Sequence, residues 1–194
     1  MTQGYIEFRQ GMPFFDMVGS FMIAIAGSPS IINEDNPMRL EEGEYIVVPG
    51  IISADRHFRP REIHDQVVKG HISQGRFLIS CCAMLANTAY ESVKDKNDKS
   101  PEFEFLRHIR HASSHGNRFH FYNREPSHPA EWRDVKIDHM LQGSANPLHD
   151  VECFGNFIGA ADIIDLLSDI EQKIAITTPT EALGRREPKD SMKE

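Results

Sequence analysis

Ser100-Pro101-Glu102-Phe103-Glu104-Phe105-Leu106-Arg107-His108-Ile109-Arg110-His111-Ala112-Ser113-Ser114-His115-Gly116-Asn117 reads as a helix with both ends marked. Serine suits the N-cap because its oxygen can accept a free N–H of the first turn, and proline is tolerated at the first helical position, where no N–H is needed. Phe103, Phe105, Leu106 and Ile109 supply an apolar side. Gly116-Asn117 then stops the helix.

Working outward, Pro60 to about Lys94 predicts one long helix, since Ile63, Val67, Leu78, Cys81, Cys82, Leu85 and Ala89 recur at roughly helical spacing. Gly70 and Gly75 weaken this helix without having to break it. Lys94 to Lys99 is a charged, solvated connector. After Asn117, residues 118–138 carry Pro126, Pro129, Phe119, Phe121 and Trp132, the pattern of an irregular insert or small hairpin pinned by aromatic side chains. Leu148 to Ile176 predicts the closing helix, with Val151, Phe154, Phe157, Ile158, Ile164, Leu167, Ile170 and Ile174 as a broad apolar face. At the other end, residues 12–26 predict a buried helix that Gly27-Ser28-Pro29 stops, and Tyr45 to Val48 predicts a short strand or extended arm. The expected fold is all-α: an antiparallel helical bundle over 61–176, an N-terminal extension over 1–60, and a mobile tail over 177–194.

The 194 residues suffice for one ordinary core, and 40% apolar with 26% charged residues describes a soluble globular chain. Met17 to Ala26 is the longest apolar stretch and is far shorter than the roughly 20 residues a membrane helix needs. No basic segment followed by an apolar run opens the chain, so a cytoplasmic location and no membrane partner are expected. The three cysteines have neither disulfide nor zinc spacing and read as buried thiols. A net charge of -8 argues against sequence-blind wrapping of nucleic acid. Charge is unevenly placed, however. Residues 31–45 sum to about -4, whereas residues 101–124, with Arg107, Arg110, Arg118 and Arg124, sum to about +2 before any histidine protonates.

Arg110 and His115 are the residues with the clearest chemistry. Arginine holds phosphate through a fixed fork of donors, and histidine moves protons near neutral pH, which together suit phosphodiester cleavage. Imidazole can take a proton from a ribose 2′-hydroxyl or return one to the departing 5′ oxygen, while arginine stabilises the charge that develops on phosphorus. The product would be a 2′,3′-cyclic phosphate, and the substrate RNA. Five residues on a straight helix set the two side chains about 140° apart. A joint site then needs the helix to fray at Gly116 or a second copy of the chain to complete it.

Arg110-His111-Ala112-Ser113-Ser114-His115-Gly116, with the preceding helix, the insert containing Glu131-Trp132-Arg133 and the final helix around Asp162 to Glu171, resembles the HEPN family of helical-bundle domains. Many of that family look like metal-independent endoribonucleases, and the resemblance is closest to a bacterial, plasmid-borne branch linked to defence or toxin-antitoxin loci. It implies Arg110 and His115 as the catalytic pair, and His111 in the polar position after the arginine. It also implies an RNA substrate, a homodimer with a composite site, an antitoxin protein as a further partner, and neither cofactor nor metal. Two residues after the histidine stands Asn117, where the branch controlled by a nucleotidyltransferase partner has a tyrosine. Tyr122 is too far along to replace it, so control by that route does not follow.

Competing readings attach to the same residues. His108, His111 and His115 could line one helix face for zinc, with His120 nearby, but no acidic or cysteine partner of the usual spacing accompanies them. Arg110 could instead pair with Glu104, and His115 could sit against the helix dipole. Arg118 and Arg124, with Ser114, are the candidate substrate contacts, although Ser113 and Ser114 also suit packing or capping. Phe119, Phe121 and Trp132 could stack on bases but fit a core better. His57, His64, His71, His128, His139 and His149 read as ordinary polar residues. A catalytically silent HEPN-like domain that binds RNA, a nucleotide or a protein is the alternative of a different class.

Overall fold

A computed structural model of the chain describes residues 8, 10–32, 45–122, 125–137 and 142–177. The expectations for Arg124 and for the tail beyond residue 177 lie outside the described residues. Among those described, the protein is mostly helical, with α1 (Phe15–Ile32), α2 (Pro60–Val68), α3 (Gln74–Val93), α4 (Pro101–Ser114) and α5 (Ala160–Thr177). Two small antiparallel hairpins accompany them: β1 (Ile46–Val48) with β2 (Arg56–Phe58), and β3 (Glu131–Trp132) with β4 (Val135–Lys136). β1 falls at the short strand or arm expected over Tyr45 to Val48, and β3 with β4 falls in the segment expected as an irregular insert or small hairpin, so the fold is mostly helical rather than all-α.

The core lies where α3, α4 and α5 meet, with α1 on the far side of α3. Helical spacing explains which residues enter it: Cys82, Leu85, Ala86 and Ala89 from α3; Phe105, Leu106, Ile109 and Ala112 from α4; Ile163, Leu166, Leu167 and Ile170 from α5. Small side chains on α3 let its neighbours approach. The insert closes one end with Phe119, Phe121, Trp132 and Ile137, all buried. Trp132 keeps its one donor satisfied, Nε1 bonding Asp169 Oδ2 at 2.8 Å. Burial of each such large side chain contributes about 1.5–3 kcal/mol.

Three helix boundaries differ from expectation. The long helix expected from Pro60 is two, because Gly70 at φ +72° ends α2. The Gly70 N–H bonds Val67 O and the His71 N–H bonds Gln66 O, a Schellman pair that consumes the last carbonyls. Ser73 then caps α3 by accepting the Arg76 N–H. Gly75 lies inside the new helix without breaking it. The closing helix starts twelve residues later than Leu148, at Ala160. Asp150 at φ +63° and Gly155 at φ +104° forbid a helix between, and Asp162 Oδ2 accepts the Gly159 N–H at 2.7 Å to open α5. Finally, α1 passes through Gly27-Ser28-Pro29 to Ile32. Pro29 has no N–H for the carbonyl of Ile25, and the Ser28 hydroxyl donates to that oxygen at 2.8 Å instead. Nor is α1 a buried helix: Phe14 and Val18 anchor its start in the core while Ile23 is 75% exposed.

Candidate functional site

The end of α4 places the residues singled out by the sequence. Ser114 is the last helical residue, and His115 is the C-cap, its N–H bonding Ala112 O. Gly116 at φ +70° and Asn117 at φ +64° reverse the chain. Asparagine tolerates this conformation better than most residues, and here its side chain is fully used. Its Nδ2 donates to Phe154 O at 3.0 Å and its Oδ1 accepts the Phe154 N–H at 2.8 Å. Asn117 is therefore a structural clip between the end of α4 and Phe154.

Turning the chain there gathers imidazoles. The His115 ring lies 4.3 Å from His111 and 5.7 Å from His120, centroid to centroid, with Tyr122 at 6.5 Å. His120 in turn lies 5.6 Å from His149. Partial burial, aided by the positive charges of His115, Arg107, Arg110 and His120, holds His111 below the usual imidazole range. His111 is thus a neutral imidazole at neutral pH, able to accept a proton. His115 itself is exposed.

Arg110 turns to α3. Its Nη2 donates to Glu91 Oε1 at 2.8 Å, and its guanidinium sits 5.9 Å from the centre of the Tyr90 ring, both on α3. Glu91 is shared with Lys94, whose Nζ donates to it at 2.8 Å; that bond, followed by the charges of Lys94 and Arg110, holds the carboxyl below its ordinary range. The Arg110 Nε is buried and has no acceptor among the described residues. Among the described residues no hydrogen bond or ion pair joins Arg110 to His115, although the helix ends at Ser114 and His115 has left helical geometry at φ -109°. Ser114 Oγ faces Asn87 Oδ1 at 2.5 Å, on the Arg110 side.

Other expected roles are redistributed. Glu104, the anticipated partner of Arg110, is buried and held by Arg107, Lys99 and Asn97. Burial alone would raise its pKa, but those donors outweigh it and the net shift is downward. His108 leaves the imagined histidine face for the core. Arg118 braces the turn before α5, its guanidinium donating to Asp150 O at 2.5 Å and to Glu152 Oε1 at 2.8 Å. Phe119, Phe121 and Trp132 pack in the core rather than presenting stacking faces. A groove of about 360 Å³ between α1 and α3, walled by Met17, Phe21, Cys81, Met84 and Leu85, contains none of these histidines.

The sequence did not point to Asn87, Glu91, His149 or Asp150. His149 and Asp150 lie some thirty residues from His120 along the chain, and no short spacing could have joined them. Comparison with protein-family models, curated proteins and solved structures finds no match to this chain.

Proposed function

We propose that this protein is a metal-independent endoribonuclease of the HEPN type, a cytoplasmic homodimer acting as a toxin or antiviral effector. The observation that carries the reading is the gathering of His111, His115 and His120 at the open end of α4, one residue along from Arg110. The mutual contacts among α3, α4 and α5 are compatible with a HEPN-like bundle. In this reading a neutral imidazole takes the 2′-hydroxyl proton while O2′ attacks phosphorus. The 5′ oxygen leaves with a proton from a second imidazole, and a 2′,3′-cyclic phosphate remains. Arg110 turns from Glu91 to the phosphate, a modest cost because their ion pair is half-exposed. In this reading a second copy brings Arg110 and His115 to one phosphate, since within one chain Arg110 is engaged by Glu91 of α3 while His115 lies against His111 and His120.

The same ion pair favours the alternative of a catalytically silent HEPN-like domain that binds RNA, a nucleotide or a protein, in which Arg110 only fastens α4 to α3. Incubating the purified chain with RNA in excess EDTA distinguishes the two. The ribonuclease reading expects fragments ending in cyclic phosphate, and a loss of about 10²-fold or more in His115→Ala and in Arg110→Ala. Circular dichroism checks that both variants remain folded. Intact RNA with the folded parent chain overturns it, and sedimentation as a monomer at micromolar concentration overturns the composite site.

A further inference from the structure

We propose that His120, His149 and Asp150 form a binding site for a divalent transition-metal ion of the zinc class. Their ligand atoms all lie within 4.8 Å of one another. His120 Nδ1 is 3.5 Å from Asp150 Oδ1, and His149 Nε2 is 3.8 Å from Asp150 Oδ2. Tetrahedral zinc with bonds of about 2.0–2.1 Å separates its donors by about 3.3 Å, so small side-chain movements would complete the cage. Two imidazoles and a carboxylate suit zinc, nickel or cobalt, whereas magnesium and calcium prefer an all-oxygen shell. The Asp150 side chain is 64% exposed, so the ion has a path in and a position left for water.

The frame beneath the three side chains is rigid. The Phe119 N–H bonds Val151 O at 3.1 Å and the Asp150 N–H bonds Phe119 O at 2.8 Å, stitching the segment after α4 to the turn before α5. Arg118 adds its bond to the Asp150 carbonyl. Asp150 itself is held at φ +63°, a conformation that costs a non-glycine residue strain and that brings its carboxylate between the two rings. One contact opposes loading. His149 Nδ1 accepts the Phe121 N–H at 3.2 Å, which leaves the ring proton on Nε2, towards Asp150. An ion taken by Nε2 sends that proton to Nδ1 and breaks the Phe121 bond.

The site shares His120 with the imidazoles of the RNA reading but does not rest on that reading, because its occupancy is read from the ion alone. Calorimetric titration of the full chain with Zn²⁺, and with Co²⁺ followed by its visible absorption, tests it. One ion per chain is expected, with a tetrahedral cobalt spectrum and a displaced Phe121 amide resonance. Affinity should fall at least tenfold in His149→Ala and in Asp150→Asn, and stay unchanged in His57→Ala, a histidine on the distant β2 strand. Excess Mg²⁺ should not compete. Binding that survives in both site variants, or that is lost only in His111→Ala, would assign the ion to other histidines and overturn the proposal, as would the absence of binding to the parent chain.

Discussion

His108 shows how one residue can serve stability by staying uncharged. It is 2% exposed, and its Nε2 accepts a bond from Arg107 Nη2 at 2.9 Å while Arg107 Nε holds the buried Glu104 at 2.8 Å. Burial first, then the charge of Arg107, lowers its pKa to about 3. The unfolded chain takes up a proton at this histidine below about pH 6.5 and the folded chain does not, so stability falls with falling pH through that window. The contribution is complete above the unfolded pKa and is lost at about 1.4 kcal/mol per pH unit below it. Urea denaturation at pH 7 and pH 5 should show a drop that is smaller by at least 1 kcal/mol in His108→Gln. Equal pH slopes in the two proteins would refute this. Asn117 carries the complementary lesson. Its identity was plain in the sequence, and its role as a clip on Phe154 was not, because the partner lies thirty-seven residues away.

The helices are governed by their ends, and the two glycines that flank the break between α2 and α3 separate cleanly. Gly70 occupies φ +72° in open space, so Gly70→Ala meets no neighbour but pays for the left-handed conformation, about 1 kcal/mol. Gly75 sits within α3 at an ordinary helical conformation, and an added methyl would meet only Ser73 Oγ at 3.9 Å. Gly75→Ala is therefore expected to stabilise the protein by about 0.5 kcal/mol or more. Thermal unfolding of the two variants should move in opposite directions; movement in the same direction would mean that the break at Gly70 is not the true end of α2. Caps also decided which helices the sequence could disclose. Ser100-Pro101 and Gly116 bracket α4 as expected, although the Ser100 hydroxyl makes none of the anticipated cap hydrogen bonds. The sequence from Leu148 reads as helix because Val151, Phe154, Phe157 and Ile158 mimic helical spacing, whereas in the fold they line successive turns.

At the scale of the whole molecule the cysteines report on the core. Cys81, Cys82 and Cys153 are free and buried, and burial pushes the Cys82 thiol up to about 12 and Cys153 upward as well. Ellman's reagent should therefore leave Cys82 and Cys153 unmodified in the native protein and find all three thiols in guanidinium. Prompt native reaction at either site would contradict this core. The hairpin of β1 and β2 stands outside it, with Ile51 and Ile52 at its tip 102% exposed. Among the described residues no helix is long and apolar enough to cross a membrane. By itself the sequence determined the mostly helical character, the span of α4 and the apolar faces that form the core. Those depend on capping and on a period of a few residues, which act locally. Only the tertiary structure decided that Arg110 turns to Glu91, that His115 turns to His111 and His120, and that His149 and Asp150 join them. Those choices depend on which distant segments the packed core and its backbone bonds bring together, and no local spacing encodes them.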